Sequence, residues 1–366
     1  QASAITFLSA PGQGFSSGLG FVQSYFGLPF AMVVLCVTFI PIFHKLNVYT
    51  AYEYLEKRFD HKTRTLTALL FLLHRGISTG ITIYAPALIL SNLLNINMNF
   101  TILFTGIMVI AYTVYGGTKA VSHTQLFQMS VIFASLFLCT YLVVHLLPAD
   151  VGFIDALHIA GKLNKLNAID THFDLNNRYN IWSGIIGGFF LQLSYFGTDQ
   201  SQVGRYLTGK SVNQSRLGLV MNGLLKIPMQ FFILLIGVLV FTFYQFHHAP
   251  IFFNKVEVSR LESGEFKKEF KELENQFKLV SDEKRNQVQQ LVRAVHSHAE
   301  LSINIARKEV QVADKKSNEI RKSAIKLIEK NDSKANTNDS NYVFLVFVTQ
   351  YLPVGVVGFL LAIILL

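Results

Sequence analysis

Tyr195-Phe196-Gly197-Thr198-Asp199-Gln200 is the stretch that decides how this chain folds. It closes the apolar run from Ile181 to Tyr195, and Asp199 is the only acidic residue inside an apolar segment of membrane length. An ionisable group at bilayer depth costs roughly 3 kcal/mol by insertion scales, so it marks a pathway or a site. Glycines at 184, 187, 188 and 197 bracket it and make the helix breakable. Broken helices with polar groups at the break are one way to hold a solute in mid-membrane. The plainer reading is a helix-end carboxylate in water, salt-bridged to Arg205. Gln192, Tyr195, Thr198 and Gln200 supply more donors and acceptors than a helix end needs.

Working outward, 51% of the chain is hydrophobic, with 32 Phe against a single Trp. That composition excludes a soluble domain and predicts an all-α, multi-pass membrane protein. A spanning helix needs about 20 mostly apolar residues. Runs of that kind lie at 21–43, 66–92, 100–118, 126–147, 181–204, 219–246 and 342–366, and the stretch before Phe21 reads as the second half of another. The chain opens without Met and Leu366 falls inside an apolar run, so it reads as a fragment of a larger protein, incomplete at both ends. Cys36 and Cys139 sit mid-helix and behave as small hydrophobes.

The net charge of +9 is distributed in a way that argues against nucleic acid. Residues 255–341 hold 18 Lys/Arg and 15 Asp/Glu, leaving 14 and 8 for the rest. Many of those 14 crowd the short loops Lys45–Arg64 and Arg205–Arg216, which the positive-inside rule makes cytoplasmic. The loop Pro148–Asn180 carries four Asp against Lys162, Lys165 and Arg178 and belongs on the opposite side. Alternating the spans then puts 255–341 on the external or periplasmic side. Within that insert Phe266, Phe270, Leu273, Phe277 and Val280 recur at helical spacing, followed by Val288, Val292, Val295 and Ala299. One or two long amphipathic helices result, either docking a partner or packing on themselves. Residues 330–341 read as linker.

Enzyme signatures are absent: there is no HExxH, no metal-spaced Cys pair, no GxSxG and no phosphate loop. The groups that could carry chemistry are ionisable residues at membrane depth. Besides Asp199 these are His74, Arg75, His123, Arg205 and Lys226. Arg75 needs a counter-charge, supplied by a carbonyl, by Asp199 or by an anionic solute. Lys226 either snorkels to the interface or meets substrate. Pro86 and Pro228 bend their spans. The opening residues Gln1 to Gly14 are rich in small and hydroxyl side chains, and unwound carbonyls with hydroxyls suit a hard cation such as sodium.

Four stretches together resemble the sodium:solute symporters, the family of the sodium–glucose, proline, iodide and multivitamin carriers. Ser3-Ala4-Ile5-Thr6-Phe7-Leu8 with Pro11-Gly12 is similar to the family's broken first core helix. Tyr115-Gly116-Gly117-Thr118-Lys119-Ala120-Val121 is similar to its Gly-Gly signature. Gly197-Thr198-Asp199-Gln200 with Arg205 and Lys210-Ser211 is similar to its second signature, and Leu352-Pro353-Val354-Gly355 to the start of its eighth core helix. The likeness covers the chain outside 255–341.

The resemblance implies a LeuT-like inverted-repeat bundle. Residues 1–254 would form the transmembrane core, from the second half of core helix 1 to core helix 7. Residues 255–341 would be the insert, and 342–366 a truncated core helix 8. It implies sodium as the coupling ion, with the Ala2 carbonyl as one donor and the rest of that site outside the chain, and no other cofactor. Thr6, Gln192, Tyr195 and Lys226 match substrate-touching positions. Tyr195 matches the tyrosine that closes over solute from inside, with Gln1 as its partner, and Asp199 with Arg205 falls beside it as an inner gate. Tyr25 and Leu28 stand where sugar carriers place Glu and Ser, and Thr124-Gln125 where the family runs on to Thr-Asp. Tyr84-Ala85-Pro86-Ala87-Leu88 is closer to the iodide, multivitamin and monocarboxylate branch. With Arg75 nearby, that favours an anionic substrate.

The expected function is therefore sodium-coupled symport of a small organic solute or anion across a plasma or inner membrane. Its partners would be sodium, the solute and the lipid bilayer. The alternative is a symporter-like sensor whose insert binds a partner. An uncoupled channel is disfavoured because polar residues cluster at helix breaks instead of forming a continuous stripe.

Overall fold

The computed structural model describes residues 4–358, apart from 47, 49, 95, 175–176, 208, 210 and 334. Among the described residues the regular structure is helical throughout. Among the described residues, five stretches are long and apolar enough to cross a membrane: Ser9–Lys45, His61–Tyr84, Met98–Gly117, His123–His145 and Val212–Phe246. Two compact units share the chain. One comprises Gln1–Leu19, Pro86–Asn167 and Ile233–Leu366, the other Gly20–Ala85 and Ala168–Phe232.

In the second unit the elements are α2 (Leu28–Val34), α3 (Ile40–Lys45), α4 (Ala51–Arg58) and the first part of α5 (His61–Leu94). They are followed by α8 (Gly188–Thr198), α9 (Gln200–Leu207) and the start of α10 (Val212–Phe246). Leu28, Met32, Leu35, Ile40 and Phe43 recur at helical spacing on one face and bury against Phe196, Val203, Tyr206 and Leu219. Arg216 Nε donates to the Cys36 carbonyl at 2.9 Å, satisfying a backbone acceptor beside the π-helical turn Leu35–Phe39.

In the first unit α1 (Ala4–Ser17) runs against the later half of α10 and against α14 (Ser340–Tyr351). The contact is backbone to backbone. A Cβ on Gly14 would stand 2.3 Å from the Leu234 carbonyl oxygen, and one on Gly237 would stand 2.0 Å from that of Pro11. Small residues at a crossing are how membrane helices pack closely without a hydrophobic driving force. The run read as one span over 342–366 is interrupted: α14 stops at Tyr351 and Leu352 is extended (φ −94°, ψ 151°), because Pro353 disfavours helix in the residue before it.

The 48-residue α6 (Met98–His145) is two helices joined at Gly117, whose φ of 59° and ψ of −168° only glycine adopts readily. Beyond α7 (Phe153–Lys162), residues 255–341 fold as a short α11 (Lys255–Ser263) and two long helices, α12 (Lys267–His296) and α13 (Glu300–Asn331), packed on each other. Phe270 and Phe277 meet Ala324, Leu327 and Ile328 there. His296 Nε2 lies 3.0 Å from Asp155 Oδ1 and Arg307 donates to Asn164 Oδ1 at 3.1 Å, tying the hairpin to α7 and the loop after it.

Candidate functional site

The apolar run from Ile181 is helical up to Thr198 and then breaks at Asp199, which leaves the helical region (φ −73°, ψ 112°). The break is built from side chains. Asp199 Oδ1 accepts from the Ser201 amide at 2.8 Å and its hydroxyl at 2.5 Å, so the aspartate caps α9. Its other oxygen, Oδ2, lies 3.7 Å from Arg75 Nη1. The carboxylate is 10% exposed and the guanidinium side chain 36%. The start of α4 closes on both sides of the break. Tyr52 Oη donates to the Thr198 carbonyl at 3.0 Å, and the Ala51 amide donates to Gln200 Oε1 at 2.9 Å.

Tyr195 sits one turn before the break and is clasped across it. Gln202 Nε2, on α9, donates to Tyr195 Oη at 3.0 Å. Gln202 is buried while the Tyr195 ring stays 37% exposed, held edge-on to Phe196 at 5.2 Å. Gln192, half-buried, precedes Tyr195 by three residues and so shares its helix face. On α10, Lys226 is 7% exposed and its Nζ lies 5.5 Å from the centroid of the Tyr25 ring. That is a cation–π contact. Arg205 is exposed on the last turn of α9.

These six residues, Arg75, Gln192, Tyr195, Asp199, Arg205 and Lys226, all fall in the second unit. Thr6, half-buried on α1, belongs to the first. Gln1 and Ala2 lie outside the described residues. The structure joins Arg75 to Asp199, one of the partners the sequence offered it. It gives Tyr195 a partner the sequence did not suggest, Gln202, and adds Ser201 and Tyr52 to the break. The cap itself was legible, since an aspartate ahead of a helix accepts from the backbone amide two residues on; the added bond from the Ser201 hydroxyl was not. Gln202 comes into place only through the break itself, and Tyr52 through the packing of α4 against it.

The model of the sodium:solute symporter family matches residues 1–261. The chain belongs to that family. Among similar curated proteins, the human sodium/iodide cotransporter is 33% identical over 220 residues, which is 60% of this chain and 34% of the relative. Human sodium-coupled monocarboxylate transporter 1 is likewise 33% identical over 220 residues, 60% of this chain and 36% of the relative. A putative sodium-dependent multivitamin transporter of Drosophila melanogaster is 29% identical over 221 residues, 59% and 35% of the two chains. The chain thus spans about a third of the length of the curated relatives it matches. A solved structure of a Na+-coupled sialic acid symporter, in a substrate-bound outward-open state, aligns over 99% of this chain and 71% of its own. The TM-score is 0.58 at 21% identity, and the fold is therefore LeuT-like, as the family's motifs led us to expect.

Proposed function

We propose that this chain forms the membrane core of a sodium-coupled symporter for a small organic solute or anion. Sodium moving down its gradient favours the outward-open, solute-binding state, and rocking of the repeats releases both inside. The observation that carries this reading is the clasped helix break at Asp199 in a chain of this family. Gln192 and Tyr195 touch solute just before the break, with Thr6 and Lys226, and Tyr195 closes over it with Gln1. Asp199 and Arg205 form the inner gate, and the Ala2 carbonyl donates to sodium.

An anionic solute is favoured for two reasons. Iodide and monocarboxylates, named for two of the relatives, are both anions. Lys226 is a buried cation on the same unit as Tyr195. Arg75 shares its charge with Asp199 in this state, so it reaches solute only when that pair opens. The insert 255–341 lies on the external side of a plasma or inner membrane, by alternation of the spans.

Uptake into vesicles carrying the full-length protein tests the proposal. An inward sodium gradient should drive at least one of a panel of halides, carboxylates, sugars and amino acids. If no member of the panel accumulates, the symporter reading fails and a solute-sensing role takes its place.

A further inference from the structure

An apolar cavity of about 220 Å³ lies within the second unit, directly beside the break at Asp199. Ile42 and Phe43 of α3, Tyr52 and Leu55 of α4, and Gly197 and Thr198 at the end of α8 form its sides. Three of the four hydroxyls in the lining are already spent on backbone carbonyls. Thr38 donates to Val34 at 2.6 Å, Tyr52 to Thr198 at 3.0 Å and Thr198 to Ser194 at 2.9 Å. The fourth belongs to Tyr54, whose ring stands edge-on to Phe43 with 6.1 Å between centroids. Such a lining suits a hydrocarbon and offers a hydrated solute almost nothing.

The lining reaches the surface at Thr38 and Ile42, both exposed. Phe30, Val33 and Val37 are exposed at helical spacing on the same stretch, Ser9–Lys45, which is long and apolar enough to cross a membrane. Exposed apolar side chains gathered on a helix of that length make a face for lipid.

Two cations stand at the end of this face. Lys45 follows Ile42 by three residues and Arg58 follows Leu55 by three, so each lies one helical turn from a lining residue. Both are exposed. The acids of α4 are engaged elsewhere: Glu53 pairs with Lys57 at 3.2 Å, and Glu56 with His61 at 2.9 Å and with Arg64. Among the described residues neither Lys45 nor Arg58 has a carboxylate within ion-pair distance.

We propose that this cavity takes part of an acyl chain of an anionic phospholipid, whose phosphate lies against Lys45 and Arg58. An apolar slot one turn away from two unpaired cations matches the order of groups along such a lipid, and basic side chains beside a membrane helix attract anionic headgroups. The chain rests on Tyr52 and Thr198, whose hydrogen bond closes one side of the Asp199 break. A bound lipid therefore wedges α3 and α4 against the helix end that the break exposes. The proposal requires that Ser9–Lys45 span the membrane, not that the chain transport anything.

Photolabelling of the full-length protein tests it, in phosphatidylcholine vesicles doped with phosphatidylglycerol that carries a diazirine on one acyl chain. Mass spectrometry should find the label on residues 38–43, 51–55 or 197–198. The same diazirine on phosphatidylcholine, equally doped, should label them about tenfold less, because the headgroup then brings no net charge to Lys45 and Arg58. Lys45→Gln with Arg58→Gln should erase that preference, while Lys45→Arg with Arg58→Lys keeps it. Ile42→Trp fills the cavity and Thr38→Phe narrows its mouth, so each should remove most of the label from 51–55 and 197–198. Equal labelling by the two lipids would mean ordinary bilayer contact. Label confined to other peptides would mean that a further segment of the chain or another protein fills the cavity. Either result, or full labelling in both Ile42→Trp and Thr38→Phe, would overturn the proposal.

Discussion

The chain breaks two of its helices in opposite ways. At Asp199 the interruption is held by side chains: Ser201 and Arg75 on the carboxylate, Tyr52 on the Thr198 carbonyl, and Gln202 reaching back to Tyr195. At Gly117, among the described residues, nothing lies within 4 Å of where a Cβ would be, and the break is marked by a backbone conformation. A clasped break can be opened by exchanging partners, which suits a gate. A break that depends on one residue's φ and ψ has no partners to exchange. The two should therefore fail under different substitutions.

The largest effect is expected at Asp199. Removing one member of a buried ion pair costs about 3 kcal/mol, reduced to about 2 here because Arg75 is partly exposed. Loss of the cap on α9 adds about 1 kcal/mol. Asp199→Ala should accordingly lower the thermal unfolding midpoint in detergent and abolish coupled uptake. Asp199→Asn with Arg75→Gln should destabilise by less than the sum of the single changes. Strict additivity would show that the 3.7 Å pair contributes nothing.

Gly117→Ala comes next. The new methyl meets open space, so only backbone strain is added, about 1–3 kcal/mol for a non-glycine residue in that region. Thermal unfolding should report it. An unchanged midpoint would mean that the chain re-forms a continuous helix there, and the contrast with Asp199 would collapse.

How far the sequence anticipated these two sites follows from what each depends on. Asp199 was visible as a lone acid in an apolar run, and its glycine neighbours announced a break. The partner Arg75 was one of several open possibilities, since nothing local ties residue 75 to residue 199. Gln202 as the clasp on Tyr195 was not legible, because it sits seven residues on and faces Tyr195 only once the helix has been interrupted. Gly117 was seen as part of a motif, but its positive φ is a property of the folded backbone. The 255–341 helices were legible in their apolar spacing. Their contribution of Lys284 and Arg321 to a cavity with Lys165 depends on a fold-level contact that periodicity does not encode. The uninterrupted reading of 342–366 gave too little weight to Pro353.

A smaller effect is expected where one neutral hydrogen bond closes the clasp. Tyr195→Phe removes one acceptor of Gln202 Nε2 and leaves it the longer contact to Ser201 Oγ at 3.3 Å, at about 1 kcal/mol. The measurable consequence is a raised KM for sodium-driven uptake with the fold intact. Gln202→Ala should mimic it, and the double variant should add little. Full additivity would mean that the two residues act separately and that the break at Asp199 is held without them.

The smallest effect tests whether the polar contact at Asp155 behaves like the one at Asp199. Asp155, on α7, accepts from the Gly152 amide at 2.9 Å and faces His296 of α12 at 3.0 Å. The amide first and then His296 hold its carboxyl below the usual value. A carboxylate with a depressed folded-state pKa contributes stability above its unfolded pKa and loses it as pH falls through the folded one. The side chain is a quarter exposed, so the contribution is about 0.5 kcal/mol, far below that expected at Asp199. Hydrogen exchange at the end of α12 should quicken as pH drops below about 4, after correction for intrinsic rates, and Asp155→Asn should flatten that acid limb. An acid limb of the same size in Asp155→Asn would mean that Asp155 does not fasten the hairpin to α7. Solvent access would then separate this contact from the more buried one at Asp199.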